Sequence, residues 1–222
     1  MNKVAIIAPH MDDEVLGCGG TIAKHIDKGD EVFVIIIAKR AYDHKFDEEL
    51  INQEKKSAVA AQKILGYQRL FFLDLRDEQL DHKLIDIVVP LEESLKKIKP
   101  DIVYTCNQND INQDHQAVYK ASMIACRPQG SFFIKKLYSY EVPSATDQIP
   151  AITSAPFIKS KYVNIEEYIK KKIEAMQAYE NESREYPHPR SPDGICIYAK
   201  KRGIEVGYKY AESFQLLREL DD

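Results

Sequence analysis

Apolar runs alternate with amphipathic segments through the first 126 residues of the chain. Short β-branched or aromatic runs predict strands at 4–8, 32–38, 70–75 and 101–105, and 3.6-residue periodicity predicts helices at 16–28, 50–65, 84–98 and 114–126. Strand–helix alternation of this kind indicates βαβ units with right-handed crossovers. The pattern predicts an α/β protein, a Rossmann-like three-layer α/β/α arrangement around a mostly parallel sheet.

The alternation becomes less regular in the last third of the chain. KKLYSYEV predicts a fifth strand at 135–142, and Pro143, Pro150 and Pro156 mark a long connection. A short strand is expected near 163–165, a helix at 166–182, a proline-rich loop at 185–194 and a last helix at 211–220. With no internal repeat, residues 1–222 are predicted to form a single domain.

Composition narrows the possible functions. The 222 residues are 44% hydrophobic and carry a net charge of −4, without the basic block that a nucleic-acid-binding surface needs. No apolar run reaches the ~20 residues of a membrane span, and no signal peptide is recognised. The 4 cysteines are scattered and form no CxxC pair. Reduced thiols and a cytoplasmic location are therefore expected.

Candidate chemistry lies in two loops, each following a predicted strand. His10, Asp12 and Asp13 follow the first strand, while Asp114 and His115 follow the fourth. Ligands of open α/β sheets bind beyond the carboxyl ends of the strands, so both loops are expected at one edge. Two imidazoles and a carboxylate suit Zn²⁺, with a fourth position open for water. His10, Asp13 and His115 are the predicted ligands, leaving Asp12 as a base.

Other interpretations remain open at this stage. Asp13 could be a helix N-cap and His10 an ordinary loop residue. The glycines of LGCGG could belong to a nucleotide- or cofactor-binding protein, although the full GxGxxG spacing is absent and no acid ends the second strand. A metal-binding protein that has lost its activity is a third possibility, but every candidate ligand and the base are present.

At these residues the chain resembles the PIG-L/LmbE-like family of zinc-dependent de-N-acetylases. PHMDDE is similar to the family's AHPDDE, DINQDH ends in the family's DH, and HPRS occurs late, followed by KKRG and YAESF. The resemblance implies that His10, Asp13 and His115 hold zinc and that Asp12 is the general base. It also implies that Asp114 orients a neighbour. In some relatives a histidine at the HPRS position comes from an adjoining subunit, so His188 is a candidate electrophile, in cis or in trans, within a homo-oligomer.

The chain departs from the family pattern at three positions. Met11 replaces a proline, and Asn112 stands where many relatives have a histidine, so a hydrogen-bond donor replaces a titrating group. The arginine that relatives carry early in the second helix is missing, and Arg40 is its candidate replacement. The predicted function is removal of an N-acetyl group from an amino sugar or sugar conjugate. Deacylation of another small N-acyl metabolite is the alternative.

Overall fold

Seven strands form one sheet that runs through the part of the chain described by the computed structural model, residues 1–128, 132–150 and 156–221. In chain order the strands are β1 (Lys3–Ala8), β2 (Glu31–Lys39), β3 (Arg69–Arg76), β4 (Ile102–Cys106), β5 (Lys136–Tyr140), β6 (Lys161–Asn164) and β7 (Ala211–Glu219). Their spatial order is β3-β2-β1-β4-β5-β7-β6. The first five are parallel, and β7 pairs antiparallel with β5 and β6. This confirms the predicted mostly parallel α/β sheet.

Helices connect and cover these strands. They are α1 (Asp13–Asp27), α2 (Glu48–Leu65), α3 (Leu84–Ile98), α4 (Gln113–Ala125), α5 (Ile169–Gln177) and α6 (Pro192–Ile204). Gly66 ends α2 in the left-handed conformation, as the sequence predicts. The central strands β1 and β2 are almost wholly buried because helices cover both faces of the sheet.

The structure differs from the C-terminal prediction in two elements. Residues 211–220 were expected to form a helix, but Ala211–Glu219 is strand β7, inserted between β5 and β6. Its register is set by two neighbours that lie far away in the sequence. The helix of this region is instead α6, which begins at Pro192 within the predicted proline-rich loop, with Ser191 as its N-cap. Residues 151–155 of the predicted long connection lie outside the described residues.

The glycines that follow the first loop serve helix packing. A Cβ on Gly17 would lie 2.2 Å from the Tyr140 ring, and one on Gly20 would lie 2.7 Å from the Ile165 side chain. Both contacts are closer than real Cβ atoms tolerate, so α1 can approach β5 and the chain after β6 only with glycine here. This role accounts for LGCGG without a bound nucleotide.

Candidate metal centre

The candidate site lies where the strand order reverses. From β1 the chain builds outward to β2 and β3 on one side and to β4 and β5 on the other. The crossovers from β1 and β4 therefore diverge and leave a crevice at the carboxyl ends of these two neighbouring strands. His10 follows β1, and His115 lies in the first turn of α4, just after β4. The topology thus brings together two side chains that are 105 residues apart.

Three atoms in this crevice lie at the separations that a tetrahedral metal ion requires. Asp13 Oδ2 lies 3.3 Å from His10 Nδ1 and 3.2 Å from His115 Nε2, and the two ring nitrogens are 3.3 Å apart. Ligands bound at about 2.0–2.1 Å with tetrahedral angles lie about 3.3 Å from each other. All three residues are buried. The residues therefore fit a zinc-type site with three protein ligands.

The remaining ring nitrogen of each histidine faces carboxylates. His10 Nε2 lies 3.0 Å from Asp77 Oδ1 and 3.3 Å from Asp114 Oδ2, and His115 Nδ1 lies 3.1 Å from Asp110 Oδ2. Carboxylates in this position fix the tautomer of a metal-binding histidine and increase its basicity. The arrangement directs Nδ1 of His10 and Nε2 of His115 toward the common centre.

The surrounding acids determine the electrostatics of the three residues. Burial lowers the pKa of His115, but Asp13 and Asp110 outweigh it and raise that pKa to about 9. Burial also lowers the pKa of His10, and its contacts with Asp114, Asp13 and Asp77 raise it well above the ordinary value. Burial raises the pKa of Asp13, but the two histidines bring it well below its usual range. The acids create a site of strong negative potential that attracts a cation.

Asp77 and Asp110 add carboxylates behind the two histidines, and neither was predicted to be a ligand or the base. Asp77 lies just beyond β3, where it accepts from the amide of Ala41 at 3.0 Å. Asp110 accepts from the hydroxyl of Thr146 at 2.8 Å. The signal for both was present in the sequence, because each acid follows the carboxyl end of a parallel strand.

Asp114 lies beside His10, the neighbour that it would orient in the predicted role. Its side chain is fully buried and accepts from the amides of Glu78, at 2.7 Å, and Leu80, at 3.2 Å, while facing His10. Asn112 has a local role at the start of α4, where its side-chain oxygen accepts from the Asp114 amide at 2.8 Å. The side-chain nitrogen of Asn112 is the group that could donate a hydrogen bond to a ligand.

Asp12 is fully buried and adjoins Asp13 in the chain, and it is not one of the three candidate ligands. Its backbone has φ of 112°, a conformation that non-glycine residues rarely adopt. The Asp12 amide donates to Glu14 Oε2 at 3.2 Å, and Glu14 Oε1 accepts from the Tyr179 hydroxyl at 2.6 Å. Burial raises the pKa of Glu14 to about 8. This buried pair braces the strained turn that presents Asp12.

Two arginines flank the Asp12 carboxylate, and both also contact Glu182. Arg190 Nη1 donates to Asp12 Oδ2 at 2.9 Å and to Glu182, while Arg40 lies 3.7 Å from Asp12 Oδ1 and 3.1 Å from Glu182 Oε1. Asp12 Oδ1 has no hydrogen-bond partner within the described ranges. Burial, and then the charge of Asp12, raise the pKa of Glu182 to about 7. One oxygen of the candidate base is therefore held while the other is left to accept a proton.

The HPRS motif was of interest in the sequence for His188, its histidine. In the structure it is the arginine of this motif, Arg190, that contacts Asp12. Among the described contacts, the His188 ring accepts from the Arg190 amide at 3.1 Å, and none joins it to the three candidate ligands. His188 therefore shapes the turn that carries Arg190. Burial, with Arg190 and Arg184 nearby, lowers the pKa of His188. Arg40 lies inside the site, as its candidate role requires.

Comparisons with known proteins agree with this geometry. The family model described as GlcNAc-PI de-N-acetylase, PIG-L, matches residues 5–126, more than half of the chain. An uncharacterized deacetylase of Escherichia coli K12, YaiS, is 30% identical over 184 residues, covering 80% of this chain and 90% of YaiS.

Solved structures share the fold over nearly the whole chain. N,N'-diacetylchitobiose deacetylase from Pyrococcus horikoshii has a TM-score of 0.78 at 21% identity, covering 97% of this chain and 84% of that one. The 4-carboxy-2-hydroxymuconate hydratase GalB from Pseudomonas putida has a TM-score of 0.76 at 18% identity, covering 100% and 98%. The fold thus accommodates more than one reaction, and the chemistry has to be argued from the residues of the site. The matched family model and the extent of the YaiS match show that this chain belongs to the PIG-L family of de-N-acetylases, which are hydrolytic enzymes.

Proposed function

We propose that this protein is a zinc-dependent hydrolase that removes the N-acetyl group from a small amino sugar or sugar conjugate. The observation that carries the proposal is the convergence of His10 Nδ1, Asp13 Oδ2 and His115 Nε2 within 3.3 Å of each other, beside a buried carboxylate that is not part of the group. Three protein ligands and an open position are typical of catalytic zinc. A zinc ion held there would supply Lewis-acid polarisation of the acyl carbonyl and activation of a water molecule.

Asp12 is the residue placed to move protons. Burial raises its pKa, while the charges of Arg190 and Arg40 oppose that increase. Its Oδ1 has no hydrogen-bond partner in the described part of the chain and lies 3.7 Å from Arg40. We propose that this oxygen accepts the proton that the attacking water loses. The same oxygen then delivers this proton to the departing amine. A positioned acid/base of this kind contributes about 10²–10⁴-fold to the rate.

Arg190 is proposed to hold Asp12 in position and to stabilise negative charge on the acyl oxygen. Its guanidinium carries five N–H donors. Nη1 donates to Asp12 and Glu182, and Nε donates to the Ser144 hydroxyl. None of the described hydrogen bonds of Arg190 uses Nη2, so its donors are left for a substrate oxygen. His188, from the same or an adjoining subunit, remains a second candidate for stabilising the acyl oxygen. The Asn112 amide and Arg40 remain candidates for contact with the substrate.

The substrate class is proposed from the family and from one relative. The Pyrococcus horikoshii enzyme is a deacetylase of N,N'-diacetylchitobiose, an N-acetylated sugar, and shares the fold. Deacylation of another small N-acyl metabolite is the alternative. Within the described residues no helix is both long and apolar enough to cross a bilayer. We further propose that the protein acts in the cytoplasm, which four cysteines that form no disulfide support. The homo-oligomer is proposed from the family resemblance alone.

The test is a substrate screen with metal-loaded protein. N-acetylglucosamine, N,N'-diacetylchitobiose, UDP-N-acetylglucosamine and simple N-acetyl amino acids are incubated with zinc-loaded protein, and released acetate is measured, with Asp12→Asn as the matched control. Acetate released from a sugar by the wild type and not by the variant supports the proposal. Release from the amino acids alone would favour the alternative substrate class. No release from any compound by protein of proven zinc content would contradict the proposed function.

A further inference from the structure

A second polar pocket lies at the far end of α1 from the metal centre. It has a volume of about 260 Å³ and is formed by the last turns of α1 together with β6 and Tyr104 of β4. Asp13 begins α1, whereas Lys24 and Lys28 mark its end. At about 1.5 Å per residue this places the pocket roughly 20 Å from the candidate ligands. The pocket is therefore separate from the site described above.

The charged groups that line this pocket are all basic. They are Lys24, Lys28 and Lys161, joined by His25, and no acid stands among the lining residues that the structure describes. Thr21 adds a hydroxyl that is buried and has no hydrogen-bond partner within the same part of the chain. The lining combines positive charge with unused hydrogen-bonding capacity.

Acids that border the pocket are engaged by other groups. Asp30 is bound by His25 at 2.8 Å and by the Asn2 amide at 2.7 Å. Asp27 accepts from the Tyr168 hydroxyl at 2.8 Å, and Glu205 accepts from Tyr162 at 2.8 Å and from Arg202. None of these contacts neutralises a lysine of the pocket.

Lys161 is the central group, held by a chain of hydrogen bonds. Its ammonium donates to the Tyr104 hydroxyl at 2.9 Å, and that hydroxyl lies 3.2 Å from His25 Nε2. Because a lysine only donates, the Tyr104 proton is free to point to His25, whose Nδ1–H then donates to Asp30. Burial lowers the pKa of His25, in agreement with a neutral imidazole. The chain fixes one Lys161 N–H and leaves two for a ligand.

The surroundings of Lys161 leave its charge unpaired. The ammonium lies 3.7 Å from the centroid of the Tyr138 ring and 5.8 Å from that of Phe214, and among the described residues no carboxylate forms an ion pair with it. Burial, with the charge of Lys136, lowers the pKa of Lys161 to about 8. Aromatic faces stabilise a cation only partly. An anion placed in the pocket would supply the missing counter-charge.

We propose that this pocket binds a phosphate-type oxyanion through Lys161, Lys24 and Lys28, either as the free ion or as the phosphate of a larger compound. Charge-assisted hydrogen bonds from lysines suit a tetrahedral oxyanion, which accepts from several directions. Lys24 already donates one N–H to the Asn164 carbonyl at 2.9 Å, which holds its ammonium near β6. The volume lies just below the ~300–1,000 Å³ of drug-sized ligand sites, so a small anion is the fitting occupant.

Calorimetric titration of the full chain with inorganic phosphate, at constant ionic strength set with sodium chloride, tests the proposal. Lys161→Met removes the charge and keeps an apolar chain against the aromatic rings. Lys28→Met removes an exposed lysine whose loss leaves folding intact, and Lys97→Met, at the exposed end of α3, is the matched control. We expect binding by the wild type and by Lys97→Met. Affinity should fall about tenfold or more in Lys161→Met, and by less in Lys28→Met.

Phosphate bound near Arg40 and Arg190 would be unaffected by these substitutions, so undiminished binding in both Lys161→Met and Lys28→Met would overturn the proposal. Absence of binding by the wild type would also overturn it. If Lys161→Met does not fold, the Lys24→Met/Lys28→Met double variant decides in the same way. Titration with glucose 6-phosphate distinguishes the sources, because tighter binding than inorganic phosphate identifies a phosphate ester and weaker binding the free ion.

Discussion

Arg190 donates to the carboxylate of Asp12 at 2.9 Å across 178 residues of sequence, within one chain. The same guanidinium nitrogen donates to Glu182, so one cation joins two buried acids. A buried ion pair of this kind is costly to break from one side, because the remaining charge has no partner. The contact therefore connects the stability of the C-terminal segment with the chemistry proposed for the first loop.

Replacing Arg190 by glutamine should lower both activity and stability. Loss of a donor placed at the reacting oxygen costs about 10²–10³-fold in kcat. Arg40 still contacts Asp12 and Glu182 in this variant, so the loss of charge-assisted hydrogen bonds should lower the free energy of unfolding by about 1.5–3 kcal/mol. The double variant Arg190→Gln/Glu182→Gln should regain stability without regaining kcat. Urea unfolding and acetate release measure the two effects, with Arg184→Gln as an exposed control. An unchanged kcat in Arg190→Gln would remove this residue from the mechanism.

Metal content should depend on the residues of the candidate centre and on the acids behind them. His115→Ala should retain little zinc, because only two ligands remain. Asp77→Asn should weaken zinc binding about 10–100-fold, since it removes the nearer of the two carboxylates that face His10 Nε2. Competition with a chelator of known affinity measures both, and the exposed Asp81→Asn is the control. Wild-type zinc content in His115→Ala would contradict the ligand assignment.

Asp12→Asn should keep the metal and lose most turnover. The amide retains the shape and a contact for Arg190 but cannot accept a proton, so a decrease of about 10²–10⁴-fold in kcat is expected. Zinc content and acetate release are measured on one preparation. A variant that lost zinc together with activity would indicate that Asp12 is a ligand.

Mixing inactive variants separates the two groups of the HPRS motif. If His188 acts in trans, Asp12→Asn and His188→Ala proteins should regain part of their activity after subunit exchange. Asp12→Asn mixed with Arg190→Gln should not recover, because Arg190 reaches Asp12 within one chain. Exchange is confirmed by mass-tagged subunits. No recovery of the first mixture despite exchange excludes the trans arrangement, and full activity of His188→Ala alone removes His188 from the mechanism.

Lys161 predicts a pH dependence of stability on the alkaline side. Its pKa is lowered to about 8 in the folded chain, below the ordinary 10.5. Between these values the unfolded chain binds more protons, so this residue makes the free energy of unfolding rise with pH from about 8 to 10.5. Tyr104 and Tyr138, which face Lys161, have raised pKa values and act in the opposite direction. Urea unfolding gives the free energy of unfolding of the wild type and of Lys161→Met at each pH. The wild-type value minus the variant value should increase from about pH 8 to 10.5. A difference that does not change with pH would contradict the lowered pKa of Lys161.

Local signals in the sequence are enough to predict the α/β alternation and the first two loops of the site. Strands β1 to β4 and helices α1 to α4 were readable because their signals are local, in apolar runs, helical periodicity and end signals such as Gly66. His10, Asp13 and His115 were readable because parallel strands place their carboxyl ends at one edge. That rule needs only the order of the elements along the chain.

Tertiary structure decided the C-terminal third. Residues 211–219 form a strand because β5 and β6 offer hydrogen bonds on both sides, which a local pattern does not reveal. Folding also brings Arg190 of the HPRS segment, rather than His188, to Asp12. Asp77, Glu182 and Arg40 gained their contacts in the same way. A side chain's partner depends on which segments the fold brings together, and no spacing within one segment specifies that.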